Sequence, residues 1–189
     1  MPTATEILRR EHDAILKMLD VADRIADRLD AGAPVAPNSL ADLLEFLRVF
    51  ADQCHHGKEE DLLFPKLEQK GMPRQMGPIG VMLMEHDQGR ALIRIMAQSG
   101  EAFAAGDKTA GKTWARAARD YADLLRNHII KENNILFVMA ERILSGAEQQ
   151  QLAQEFDKVE TSKIGPGTHE RLHAMMDKLT AEVLTPAAH

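Results

Sequence analysis

Apolar residues recur along much of this chain at alternating steps of three and four, the period of a helix that buries one stripe. The first such stretch runs from about Thr5 to Ala31, with Leu8, Ile15, Leu19, Ala22, Ala26 and Leu29 on the stripe. Thr3-Ala-Thr-Glu6 opens it with a capping-box pattern and Gly32 closes it. A proline-containing loop leads to a second stretch from about Ser39 to Gln69, in which Pro65 predicts a kink or an early end. Beyond the turn-rich segment 71–78, a third helix is expected from about Ile79 to Ala105, with Ile79, Met82, Ile93, Met96, Gly100 and Phe103 on one face. The short link Gly106-Asp-Lys precedes a fourth, about Thr109 to Leu144, carrying Trp114, Ala118, Tyr121, Leu125, Ile135 and Met139.

Short links between long helices make neighbours antiparallel, so the expected fold is all-α, an up-down-up-down four-helix bundle over residues 1–144. Residues 145–189 then form a C-terminal helical extension packed on the bundle. It comprises a polar helix to about Lys158, a Gly-Pro-Gly break at 165–167 and an amphipathic helix from about His169 to Leu184. The last carries Leu172, Met176, Leu179 and Val183 as its apolar stripe.

Three of the four bundle stripes are interrupted by polar residues. His12 takes the missing place in the first helix, His86 in the third, and His128 and Glu132 in the fourth. At 1.5 Å per residue, His12 and His55 lie roughly 28 and 24 Å from the loop joining their helices, and His86 and His128 lie about 28 Å from theirs. All four helices therefore bring an imidazole to one layer.

The second and fourth helices also share a local sequence. His55-His-Gly-Lys-Glu59-Glu-Asp-Leu-Leu-Phe64 lies without a gap over His128-Ile-Ile-Lys-Glu132-Asn-Asn-Ile-Leu-Phe137. Residues four apart stack on one helix face, so each copy offers one imidazole and one carboxylate together. Two such faces turned toward each other make a cage of nitrogen and oxygen donors for a metal, and with two carboxylates, for two metals. A buried salt-bridge network is the bland alternative, but the inward stripes supply few cations apart from Arg90, and unpaired buried carboxylates are costly.

Helix two contains two registers, His55/Glu59 and His56/Glu60. At about 100° per residue, His55 and Glu59 fall nearer the apolar side defined by Leu40, Leu43, Leu44, Leu47, Ala51 and Cys54. His56 and Glu60 point nearly the opposite way, which predicts solvated or supporting roles.

The net charge of −6 gives no basic patch for nucleic acid. One cysteine, Cys54, excludes an internal disulfide and suits a reducing compartment. Neither a signal peptide nor an apolar run of membrane-spanning length is evident. These features lead to the expectation of a cytoplasmic protein with no nucleic-acid or membrane partner, and leave a homodimer open. Cys54 lies on the apolar side of its helix, where a free thiol acts as a small hydrophobe. The methionines Met82, Met84, Met96, Met139, Met175 and Met176 read as core rather than as a copper site.

The order His12, His55-xxx-Glu59, His86, His128-xxx-Glu132, with the tail Glu59-Glu60-Asp-Leu-Leu-Phe64-Pro65, resembles the hemerythrin-like (HHE cation-binding) family over about residues 5–144. The resemblance implies two non-haem iron ions with an oxo or hydroxo bridge. Glu59 and Glu132 would bridge them, and His12, His55, His86 and His128 would be terminal ligands. It further implies binding of, or reaction with, O₂, NO or peroxide, in gas binding, sensing or redox defence. An iron-handling or iron–sulfur-repair role is the alternative.

Oxygen-carrying members place a second histidine four residues after the third-helix ligand, where this chain has Arg90. His169 and His173, one turn apart in the extension, are the candidates for that missing ligand. They also spell His169-Glu-Arg-Leu-His173, the zincin pattern, with Glu170 as base and only the terminal His189 downstream as a third donor. A zinc hydrolase is thus a remote alternative.

Overall fold

The structure, a computed structural model, describes residues 1–160, 165 and 167–184. Pro166, within the expected break, and the terminal His189 lie outside the described residues.

Among the described residues six helices follow in chain order and there is no strand. They are α1 (Ala4–Asp30), α2 (37–69), α3 (Pro78–Ala104), α4 (108–143), α5 (Gly146–Val159) and α6 (Thr168–Leu184). Thr3 caps α1 through a complete capping box with Glu6, and Ser145 does the same for α5 with Glu148. None of the helices is long and apolar enough to cross a membrane, among the described residues.

Ion pairs fix the directions of the bundle. Along α1 and α4, Arg119 meets Asp27 and Asp30, Arg126 meets Asp20 and Asp23, and Arg9 reaches Asn133 and Glu141. The order reverses between partners, so α1 and α4 are antiparallel. Arg90 against Asp52 and His86 against Glu60 give the same result for α2 and α3. The up-down-up-down expectation describes these four helices.

Helices α2 and α4 are not uniform. In α2 the stretches Leu47–His56 and Glu59–Leu63 widen into π-helical turns, and in α4 so does Glu132–Leu136. The backbone N–H of Phe64 bonds the carbonyl of Glu59, and that of Phe137 the carbonyl of Glu132, both five residues back. Pro65 therefore does not end α2, which continues to Gln69, because the wide turn before it has already given up the ordinary four-residue bond. The proline is not the cause: Val138 holds its place in the second copy and the turn is the same.

Each wide turn advances the register by one residue. Leu63 and Leu136 are buried, while Ile135, expected on the stripe, is half exposed at 50%.

Two apolar clusters fill the bundle. One gathers Met18, Leu19, Ile25, Leu43, Phe46, Phe50, Trp114 and Tyr121; the other gathers Leu8, Phe64, Leu67, Ile79, Phe137 and Phe156. Met82, Met96 and Met176 are core as expected, but Met84 is exposed. Helix α5 contributes Leu152 and Phe156 to the second cluster. Helix α6 buries Leu172, Met176, Leu179 and Val183 into the first, along α1 and α2, where Arg28 bonds the Val183 carbonyl and Arg171 pairs with Glu45.

Candidate metal centre

Between the two apolar clusters lies a polar layer. His12, His55, His56, His86, His128, Glu59 and Glu132 are each at most 3% exposed. They form two groups, His12/His55/Glu59/Glu132 and His56/Glu59/His86/His128, in each of which the donor atoms lie within 4.8 Å of one another. Glu59 belongs to both. Its Oε1 stands 3.7 Å from His55 Nε2 and its Oε2 3.6 Å from His86 Nε2. Glu132 straddles the same divide, with Oε2 3.1 Å from His12 Nε2 and Oε1 3.2 Å from His128 Nε2.

The outer nitrogen of every imidazole is spoken for. Nδ1–H donates from His12 to Asn133 Oδ1 (2.9 Å), from His55 to Glu11 Oε2 (2.8 Å), from His86 to Glu60 Oε1 (2.6 Å) and from His128 to Glu85 Oε2 (2.9 Å). His56 makes a longer bond of 3.4 Å to Asp52. These acceptors fix the tautomer that leaves a lone pair on Nε2, the arrangement that metal-binding histidines use.

All five Nε2 atoms then converge, those of His86 and His128 only 3.2 Å apart. Nε2 of His12, His55 and His56 and all four carboxylate oxygens of Glu59 and Glu132 have no hydrogen-bond partner although buried. So dense a set of acceptors facing one another is unfavourable unless cations lie among them. The residues fit a metal site.

Electrostatics agree. Burial, reinforced by neighbouring imidazoles, pushes His55 down to about 4 and His56 and His86 to about 3, leaving them neutral donors. Burial, then the charge of Glu132, raises Glu59 well above the usual carboxylate range. Burial opposes charge on His128 and Glu132 too. It is outweighed there by their mutual attraction, with Glu85 helping His128 and His12 helping Glu132. His128 therefore rises to about 9 and Glu132 falls. The layer favours positive charge at its centre.

Six of the eight residues singled out in the sequence meet here: His12, His55, Glu59, His86, His128 and Glu132. The other two do not. His169 and His173 lie beside Phe50 on the α1–α2 side of the bundle, because the α6 stripe docks there and not against α3 and α4. Arg90 needs no relief from them, being paired with Asp52, Glu60 and Asp87.

The histidine beyond the four is His56, whose outward reading fails. A 100° wheel does not survive the π-helical stretch Leu47–His56, so both His55 and His56 turn inward, 1% and 3% exposed. His56 stacks on His86 with ring centroids 3.8 Å apart. Glu60, by contrast, supports His86 and Arg90 from outside.

Sequence reasoning also missed Glu11, Glu85, Asn133, Asp52 and Lys58. A signal existed: Glu11-His12-Asp13 recurs as Glu85-His86-Asp87. Glu11 accepts from His55 and Lys58, and Glu85 accepts from His128 and Lys131, at matched places in the two copies. Asn133 and Glu60, the acceptors for His12 and His86, also occupy matched places. The supporting bonds are thus duplicated along with the ligand candidates.

An uncharacterized protein of Mycobacterium tuberculosis (strain ATCC 25618 / H37Rv) is 28% identical over 163 residues, 86% of this chain and 63% of that protein. The iron-sulfur cluster repair protein YtfE of Escherichia coli (strain K12 / DH10B) is 32% identical over 116 residues, 60% of this chain and 52% of that protein. YtfE of Citrobacter koseri is 33% identical, with the same two coverages. This chain therefore spans between 52% and 63% of the length of these relatives. The hemerythrin HHE cation binding domain matches residues 3–140, all of the bundle but its last turn. The chain belongs to the hemerythrin HHE cation-binding family.

Proposed function

We propose that this chain is a non-haem di-iron protein that binds or reacts with O₂, NO or peroxide. The observation that carries the reading is the pair of straddling carboxylates, Glu59 and Glu132, each with one oxygen toward either histidine group. His12 and His55 would hold one ion and His56, His86 and His128 the other, with both glutamates between. Imidazole with carboxylate suits iron, which when bound would supply the redox change and the affinity for small oxidants and gases.

The chain's own residues set the conditions. Glu11, Asp52, Glu60, Glu85 and Asn133 hold each ring in place through Nδ1. The apolar clusters on both sides shield the layer from bulk water. The His12/His55 group has one imidazole fewer, so an external ligand would complete the donor set there. The apolar cleft lined by Leu44, Met96 and Trp114 touches none of the seven residues. A polar hollow of Asp52, Gln53, Gly57, Glu60, Asp61 and Arg90 lies directly outside His56 and His86.

Elemental analysis after anaerobic ferrous loading tests the reading, with about two irons per chain expected from two donor groups. A folded protein that takes up one iron or none overturns it. Similarity to the iron-sulfur cluster repair proteins favours a second reading, iron handling. Iron that passes to an acceptor faster than NO or peroxide is consumed would select that reading. Glu170 is exposed, which gives the zinc-hydrolase alternative no support.

A further inference from the structure

His169 and His173 remain outside the centre, yet their arrangement is not that of two solvated side chains. They stand one turn apart on α6 with their Nε2 atoms 2.9 Å from each other. Both rings rest against Phe50, with centroids 5.7 and 5.8 Å from it, which restricts their rotation. His169 Nδ1 stands 3.8 Å from Glu160 Oε2, and the other oxygen of Glu160 is held by Lys58. A carboxylate on the Nδ1 side of His169 leaves its Nε2 beside that of His173. Burial, then the neighbouring His169, lowers the His173 pKa, which favours the neutral ring that a metal ion binds.

The nitrogen separation narrows the chemistry. Two nitrogens 2.9 Å apart, each about 2.1 Å from a common ion, subtend roughly 90° at it. That is the angle between neighbouring ligands in an octahedral or square arrangement; a tetrahedral ion would hold them further apart. Nitrogen donors also rule against calcium or magnesium, which prefer oxygen. We infer that His169 and His173 form a second, surface-accessible metal site for a late first-row dication of the nickel(II) or copper(II) class, with water completing its coordination. His169 is 38% exposed at its side chain, so an ion reaches it without any opening of the bundle. The site shares no donor with the buried centre and calls for no catalytic role of Glu170.

The test uses the full-length, iron-loaded chain, so that the buried donors are already engaged, and nickel(II) as the probe in isothermal titration. Uptake of a single nickel ion per chain, lost in His169→Ala and in His173→Ala with iron content and visible spectrum unchanged, supports the site. His189→Ala retains that uptake. No uptake by the unaltered chain, uptake that survives the double His169→Ala/His173→Ala variant, or uptake lost in His189→Ala overturns it. In the first case the 2.9 Å contact is only an N–H···N hydrogen bond between the two rings.

Discussion

Replacing His56 with Leu should move iron affinity and the stability of the chelator-stripped protein in opposite directions. The ring is 3% exposed and its Nε2 has no partner. An orphaned buried acceptor costs about 1–3 kcal/mol. Against that gain, the variant loses the 3.4 Å bond to Asp52, too long to contribute much, and Asp52 keeps Arg90 at 2.9 Å. It also loses the stack on His86, about 0.5–1.5 kcal/mol. The balance for the stripped protein is a gain of about 1 kcal/mol.

Iron binding goes the other way. Changing a group that merely supports a ligand lowers affinity about 10- to 100-fold, so removing a direct donor should cost at least about 100-fold, or about 2.7 kcal/mol. Urea unfolding of the stripped protein and competition against a calibrated chelator read the two quantities separately. A His56→Leu protein that unfolds more easily when stripped, yet keeps its full iron content, would show His56 to be a packing residue and refute the five-histidine centre.

Two other predictions concern the frame around the centre. Tyr121 is 1% exposed with a hydroxyl that has no partner, so Tyr121→Phe should stabilise the protein by about 1 kcal/mol. Thermal unfolding should show a rise of about 2–4 °C, and a clear fall in Tm would mean that the hydroxyl does have a partner. Glu148 is held down to about 2 from 4.5 by its bond to Lys70 and by the Ser145 backbone and side chain in the α5 capping box. Its folded pKa is the lower one, so its contribution is complete above about pH 4.5 and disappears as pH falls toward 2. The stability gap between the parent chain and Glu148→Gln should close over that window in acid titrations, and a gap that widens on acidification contradicts the assignment.

The fold was legible because it rests on periodicity and breakers. The expected helix limits of Thr5 to Ala31, Ile79 to Ala105 and Thr109 to Leu144 fall within a residue or so of Ala4–Asp30, Pro78–Ala104 and 108–143. The layer of His12, His55, His86 and His128 was legible too, because equal distances from a shared loop mean equal heights. What failed was angular. An ideal wheel assumes that every turn takes the same number of residues, and the wide turns at Leu47–His56, Glu59–Leu63 and Glu132–Leu136 do not obey it. His56 turned inward and Ile135 outward for that one reason. The placement of His169 and His173 failed differently: an apolar stripe says that a helix buries a face, but not which groove of the bundle receives it.

The duplicated frame leads to a last prediction. Glu11 and Glu85, His12 and His86, His55 and His128, Lys58 and Lys131, Glu59 and Glu132, and Glu60 and Asn133 occupy matched places and make matched contacts. Among the ligand candidates the correspondence breaks at one position, where His56 is matched by Ile129. Ile129 is 3% exposed, as buried as His56. His56 follows His55 and joins the group of His86 and His128 on the opposite pair of helices. By the same relation, a histidine following His128 would face His12 and His55. Ile129→His should therefore give each half three imidazoles and close the place left for an external ligand. The expected result is a protein that keeps its iron while azide no longer perturbs its visible spectrum. The new ring needs an acceptor for its outer nitrogen, and the place that matches Asp52 is held by Leu125, so a stability loss of about 1–3 kcal/mol should accompany the change. Full iron content with an azide response equal to that of the parent would show that the open position does not lie on the two-histidine side.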